Sequence, residues 1–125
     1  MILKIVIFVK EAKKLGLKSI YGINDYLTKY YDYDVLLTNP PFSIKDLVIE
    51  RILKHGAPAS LILPGESIGG VKRHELFTQY GYPSIYIPTR RIKYVDGSGL
   101  NRKSSNYHSI IMLFNIGKSE IIWEK

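Results

Sequence analysis

Asn39-Pro40-Pro41-Phe42 follows directly on the apolar run Asp34-Val35-Leu36-Leu37-Thr38, so a carboxamide, a proline carbonyl and an aromatic face stand in succession where a strand should end. That is the place where open α/β sheets bind ligands. The two prolines remove backbone donors that would otherwise turn inward. Such a set suits a nucleobase amine, a poor nucleophile because its lone pair is delocalised into the ring. The Asn39 side-chain oxygen and the Pro40 carbonyl can accept its two N–H bonds and draw the nitrogen toward sp³ geometry. Its lone pair then points at an electrophilic methyl group. Phe42 would stack on the extruded base, offsetting an unstacking cost of a few kcal/mol with roughly 1–3 kcal/mol. No metal and no covalent nucleophile are needed. The competing structural reading is an ordinary strand exit, with Asn39 capping a turn and Pro40-Pro41 stopping the strand.

Composition narrows the chemistry. A chain of 125 residues fits one domain, expected to span 1–125, and 46% hydrophobic with 23% charged residues is a globular balance. With no cysteine, disulfides, thiolate metal sites and the thiolate adduct of cytosine C5 methylation are excluded. The opening run Met1 to Val9 is too short to span a membrane and is followed by Lys10-Glu11-Ala12-Lys13-Lys14 rather than a small-residue cleavage site, so a cytoplasmic location is expected. A formal net charge of +7 suits polyanions. Arg90, Arg91, Lys93, Arg102 and Lys103 cluster in one short region and are the candidate nucleic-acid contacts; Lys10, Lys13, Lys14 and Lys18 read as the solvated face of a helix.

The elements that would position these groups alternate as in a parallel α/β sheet. Strands are expected at Ile2–Val9, Lys18–Gly22, Asp34–Thr38, Pro58–Leu63, Ser84–Ile87 with Arg91–Val95 beyond a bend at Pro88, Tyr107–Asn115, and Glu120–Trp123 as a last edge. Asp34–Thr38 is a near-continuous apolar run and is expected to be covered on both faces. Helices are expected at Glu11–Leu15, from a Ser43 cap to about Lys54 with His55-Gly56 as its stop, and at Lys72–Tyr80 ending at Gly81; Asp25–Tyr31 reads as a turn or short helix. Tyr94-Val95-Asp96-Gly97-Ser98-Gly99 imitates a cofactor-binding glycine turn, but a polar stretch and then a strand follow it, so it reads as a hairpin loop. His55, His74 and His108 make no i, i+4 pair, and structural roles are expected for them. The many tyrosines could line a nucleic-acid surface, although amphipathic edge packing is the commoner use.

Asn39-Pro40-Pro41-Phe42 after an acidic residue and an apolar strand, with a helix opening at Ser43, resembles the signature of S-adenosylmethionine-dependent amino methyltransferases. In layout the chain is similar to the C-terminal part of class I DNA adenine-N6 methyltransferases of the Dam-like kind carried by phages and prokaryotes, over about Glu11 to Asn115. The resemblance implies a truncated Rossmann-like α/β sheet, mostly parallel with an antiparallel C-terminal hairpin. It implies Asn39, Pro40, Pro41 and Phe42 as catalytic residues, S-adenosylmethionine as cofactor and DNA as partner. It also implies Asp25 as the carboxylate accepting from the cofactor's adenine amine; a helix N-cap is the equal alternative for Asp25.

One part of the pattern has no counterpart. The family's glycine-rich turn, which cradles the methionyl part of the cofactor, is not found, and where the family's second strand ends on an acidic residue for the ribose hydroxyls, Ile5-Val6-Ile7-Phe8 is followed by Val9-Lys10, with Glu11 arriving late. The family's first strand is central to its sheet, so its loss would expose two edges. Either Ile2–Val9 is expected to pair with Asp34–Thr38, or a partner chain or second copy completes the sheet. Three functions follow: an adenine-N6 methyltransferase complete only with a partner chain or a missing N-terminal segment, a non-catalytic nucleic-acid-binding remnant, and a protein-interaction or inhibitor domain. The same acceptor geometry also serves a guanine amine in RNA or a glutamine amide, and the basic charge favours nucleic acid over protein.

Overall fold

A computed structural model of the protein describes residues 14–16, 33–95, 102–104 and 107–125. Asp25, and the expected elements Ile2–Val9, Lys18–Gly22 and Asp25–Tyr31, lie outside the described residues. The pairing foreseen between Ile2–Val9 and the strand before Asn39 lies outside them too.

The segment before Asn39 forms β1 (Leu36–Thr38), parallel to β2 (Ala59–Pro64) with Thr38 opposite Leu61. Between them runs α1 (Lys45–His55), which buries Val48, Ile49, Ile52 and Leu53 at a helical spacing. Gly56 ends it in the left-handed region at φ 88° and returns its N–H to the Ile52 carbonyl, as the His55-Gly56 pair led one to expect. The entry differs from expectation. Phe42–Ile44 is a turn of 3-10 helix, Ile44 is the N-cap, and no side chain caps either start, so Ser43 lies inside the turn.

After β2 come a 3-10 turn, Gly65–Ile68, and α2 (Val71–Tyr80), which presents Phe77 to the core and stops at Gly81. Then follow β3 (Ser84–Ile87), a separate antiparallel hairpin of β4 (Lys93–Val95) and β5 (Arg102–Ser104), β6 (Ser109–Phe114) and β7 (Ile121–Trp123). The glycine-rich stretch after Val95 thus joins two strands of a hairpin, in line with the sequence reading.

The architecture is α/β, and the described residues form a five-stranded sheet in the order β1-β2-β6-β3-β7. The sheet is mixed, which corrects the expectation of a mostly parallel one. β6 runs antiparallel to both neighbours, over six register pairs with β2 and three with β3, while β1–β2 and β3–β7 are parallel. Nor do the last two strands form the expected antiparallel hairpin with each other: β6 inserts between β2 and β3, and β7 pairs with β3 in parallel.

Alternate residues of the central strands define the core. Ala59, Leu61 and Leu63 of β2 and Ile110, Met112 and Phe114 of β6 face one side together with Phe77 and the buried stripe of α1. The rings of Phe77 and Phe114 lie 6.2 Å apart. Both helices therefore cover the same face, and Arg73 of α2 joins Asp46 of α1 at 2.8 Å. The opposite face explains a second correction: Leu37, which points there, is 47% exposed, so among the described residues β1 is not covered on both sides.

One side chain locks this frame in a way that spacing and composition did not advertise. Asn115, just past β6 at φ 60°, donates Nδ2 to the carbonyls of Ile52 and Ala57 at 2.9 and 2.8 Å. It satisfies the open end of α1.

Candidate functional site

Four chain segments meet at one edge of the sheet. β1 and β2 are parallel, so Asn39 and Gly65 leave at the same edge. β6 enters there, because Pro64 pairs with Ser109 and the Gly65 N–H donates to the His108 carbonyl at 2.9 Å. β3 leaves there as well: His108 Nε2 donates to the Pro88 carbonyl at 2.7 Å. That bond fixes the ring's tautomer, since a carbonyl can only accept. A Cβ on residue 65 would come within 3.1 Å of the His108 carbonyl oxygen, so the close approach of β2 to β6 favours a glycine there.

At this rim Asn39 is only 5% exposed and Pro40 is fully buried, whereas Pro41 is exposed and Phe42 is half-buried. Asn39 Oδ1 is buried and meets no hydrogen-bond donor among the described residues. A buried acceptor left unpaired costs about 1–3 kcal/mol, and folded proteins rarely tolerate one without a reason. Phe42 is held edge-on by Tyr107, with ring centroids 5.2 Å apart and planes at 71°. Tyr107 stands just before β6, so this packing ties the Asn39 loop to the base of the β4–β5 hairpin.

The basic cluster belongs to the same edge. Pro88 holds the point where the chain leaves β3, and Arg90, Arg91 and Lys93 follow it, all exposed. The backbone of Arg102 and Lys103 returns in β5, with Tyr94 opposite Lys103 and Val95 opposite Arg102. The carboxamide loop and the first arginines of the basic segment, far apart in sequence, thereby leave the sheet at one rim.

The rim is braced by ion pairs. Lys45 Nζ lies 3.5 Å from Glu66, linking the start of α1 to the turn after β2, and Arg73 also donates Nε to the Gly69 carbonyl at 2.6 Å. Ser67, inside that turn, is completely buried, and its hydroxyl has no partner. No sequence signal pointed to Ser67, because a serine after Pro-Gly-Glu reads as a turn residue.

The histidines expected in structural roles make these contacts. His55 stacks on Tyr33 at 4.4 Å, and His74 bonds the Tyr82 hydroxyl at 2.8 Å. No group of His, Asp and Glu among the described residues could hold a metal ion. A depression of about 270 Å³ lies away from Asn39, lined by Phe77, Tyr82, Ile85, Met112 and Ile121 among others. Among the described residues no helix is long and apolar enough to cross a membrane.

The glycine-rich stretch that imitates a cofactor-binding turn connects β4 to β5, and its residues 96–101 lie outside the described residues. Comparison of the chain with protein-family models, with curated proteins and with solved structures gives no match.

Proposed function

We propose that this chain is a class I methyltransferase-like domain of the DNA adenine-N6 branch, in which Asn39 Oδ1 and the Pro40 carbonyl accept the amine hydrogens of an extruded adenine. The observation that carries this reading is the orphaned carboxamide oxygen of Asn39 at the carboxyl end of a parallel strand. A donor supplied by a ligand relieves that unpaired acceptor, and a base amine has two. Phe42, edge-on to Tyr107, offers the stacking surface beside it. The exposed cations on the same rim supply the sequence-independent attraction to phosphates.

In the catalytic form of this reading S-adenosylmethionine supplies the methyl group, and a partner chain or further segment supplies most of its cradle, with Asp25 as this chain's contribution. Because Asn39 is 5% exposed, the base enters only as the 39–44 loop shifts. That burial favours a second reading, a non-catalytic remnant that keeps nucleic-acid binding or serves as a protein-interaction or inhibitor module.

Calorimetric titration of the full chain with S-adenosylmethionine, alongside transfer of labelled methyl to adenine-containing DNA, separates the two. Heat of binding and N6-methyladenine support the enzyme. Nucleic-acid binding without either rules out catalysis by this chain alone. A chain that binds neither the cofactor nor DNA at low salt ends the nucleic-acid reading altogether.

A further inference from the structure

The proposed base site accounts for the unpaired oxygen of Asn39 but not for a second orphan at the same edge. Ser67 Oγ has no exposed surface and no hydrogen-bond partner. It belongs to the Gly65–Ile68 turn that continues β2, the parallel neighbour of β1. That turn is joined to the residue following the Asn39 loop by the Lys45–Glu66 ion pair, and to the entry of β6 by the Gly65–His108 bond. A third orphan, Thr38 Oγ1, is set apart by register: Thr38 pairs with Leu61 and so shares the helix-covered face. Asn39 and Ser67 are left as the unpaired groups beyond the strand ends.

A carboxamide oxygen can only accept, whereas a serine hydroxyl can also donate. We infer that Ser67 is a specificity-determining residue of the proposed base site, its hydroxyl donating to the ring nitrogen that adjoins the amine held by Asn39. The inference rests on the base-binding reading above. An acceptor beside a donor matches the amine and neighbouring ring nitrogen of adenine, and of cytosine. Guanine offers a carbonyl and a ring N–H on that edge, and its carbonyl would face Asn39 Oδ1 acceptor to acceptor. Thymine is mismatched in the same way. The pair of residues therefore selects bases whose amine adjoins an unprotonated ring nitrogen on the Watson–Crick edge, as in adenine and cytosine; guanine's amine adjoins a ring N–H there, which would face the Ser67 donor. A site built to hydrogen-bond a substrate group discriminates strongly, because the wrong ligand leaves its buried polar atoms unpaired.

The test uses the full chain, a labelled single-stranded thymidine oligonucleotide with one central base varied among adenine, cytosine, guanine and thymine, and fluorescence anisotropy at low salt. The wild-type chain is expected to prefer central adenine and cytosine over guanine and thymine. Ser67→Ala is expected to reduce that preference about fivefold to tenfold, the worth of one hydrogen bond, with a melting temperature equal to or above that of the wild type. An undiminished preference in a folded Ser67→Ala chain overturns the assignment. Asn39→Ala in the same assay separates the two layers of argument. If it abolishes the preference while Ser67→Ala does not, only the role of Ser67 falls. If the wild-type chain shows no preference at all, the base-binding reading falls with it. Should Ser67→Ala melt well below the wild type, Ser67→Cys, which keeps the size and weakens the donor, must lower the preference for the inference to stand.

Discussion

Replacing Asn39 with alanine should separate stability from recognition. Its Oδ1 is buried without a donor, so the folded chain carries an uncompensated desolvation cost of about 1–3 kcal/mol. Alanine removes that cost, and because the lost side chain is polar, little apolar burial goes with it. The variant is expected to be between unchanged and about 2 kcal/mol more stable by urea denaturation, with a melting temperature raised by up to several degrees. Affinity for adenine-containing single strands should fall about tenfold, as one charge-neutral acceptor pair and its steering are lost. Asn39→Asp gives an independent sign. A carboxylate at this buried position has its pKa raised by desolvation. Its penalty is then absent below the unfolded value of about 3.9 and grows as pH rises, levelling off above the raised native value. Asn39→Asp should match the wild type most closely near pH 4 and fall behind it by about pH 7. A loss of more than about 1 kcal/mol in Asn39→Ala, with binding intact, would make the carboxamide a fixture of the strand exit and refute the reasoning.

Asn115→Ala loses two hydrogen bonds to the end of α1 and places alanine at φ 60°, so urea denaturation should show a loss of about 2–4 kcal/mol; less than about 0.5 kcal/mol would mean those carbonyls find other partners. Arg73→Ala breaks the bonds to Asp46 and Gly69, and a cost of about 1–2 kcal/mol is expected in the same measurement, only partly recovered by Arg73→Lys, whose single ammonium cannot serve both. Charge reversal at both Arg90 and Lys93 should leave the melting temperature within a degree or two and lower the salt slope of DNA binding by about 0.9 for each phosphate no longer neutralised. An unchanged slope removes the hairpin from the interface.

The local signals that proved reliable were those with one dominant cause. Gly56 and Gly81 stop their helices because each position needs a backbone conformation that side chains resist, and the stripe of α1 could be read from spacing alone. Strand order could not. Whether Ser109–Phe114 lies outside β3 or between β2 and β3 depends on long-range pairing, and an apolar run such as Ile110-Ile111-Met112 fits either slot. The same limit hid the exposure of Leu37, which follows from both helices falling on one face. Asn39 and Phe42 could be singled out by type and position, and the basic residues as a cluster. Their meeting on one rim was not, since it rests on the bonds that join His108 to Gly65 and Pro88. Ser67 was invisible for a plainer reason: burial without a partner has no sequence signature.

The central claim is that the Asn39 side chain meets the amine of a nucleobase. The side-chain amide resonance of Asn39 in a nitrogen-15 correlation spectrum, identified by its disappearance in Asn39→Ala, reports on that meeting directly. Titration with a thymidine oligonucleotide carrying one adenine should shift this resonance, and an all-thymidine oligonucleotide of equal length should leave it in place while still shifting residues of the β4–β5 hairpin. An Asn39 resonance unmoved at saturation by the adenine-bearing strand would contradict the account.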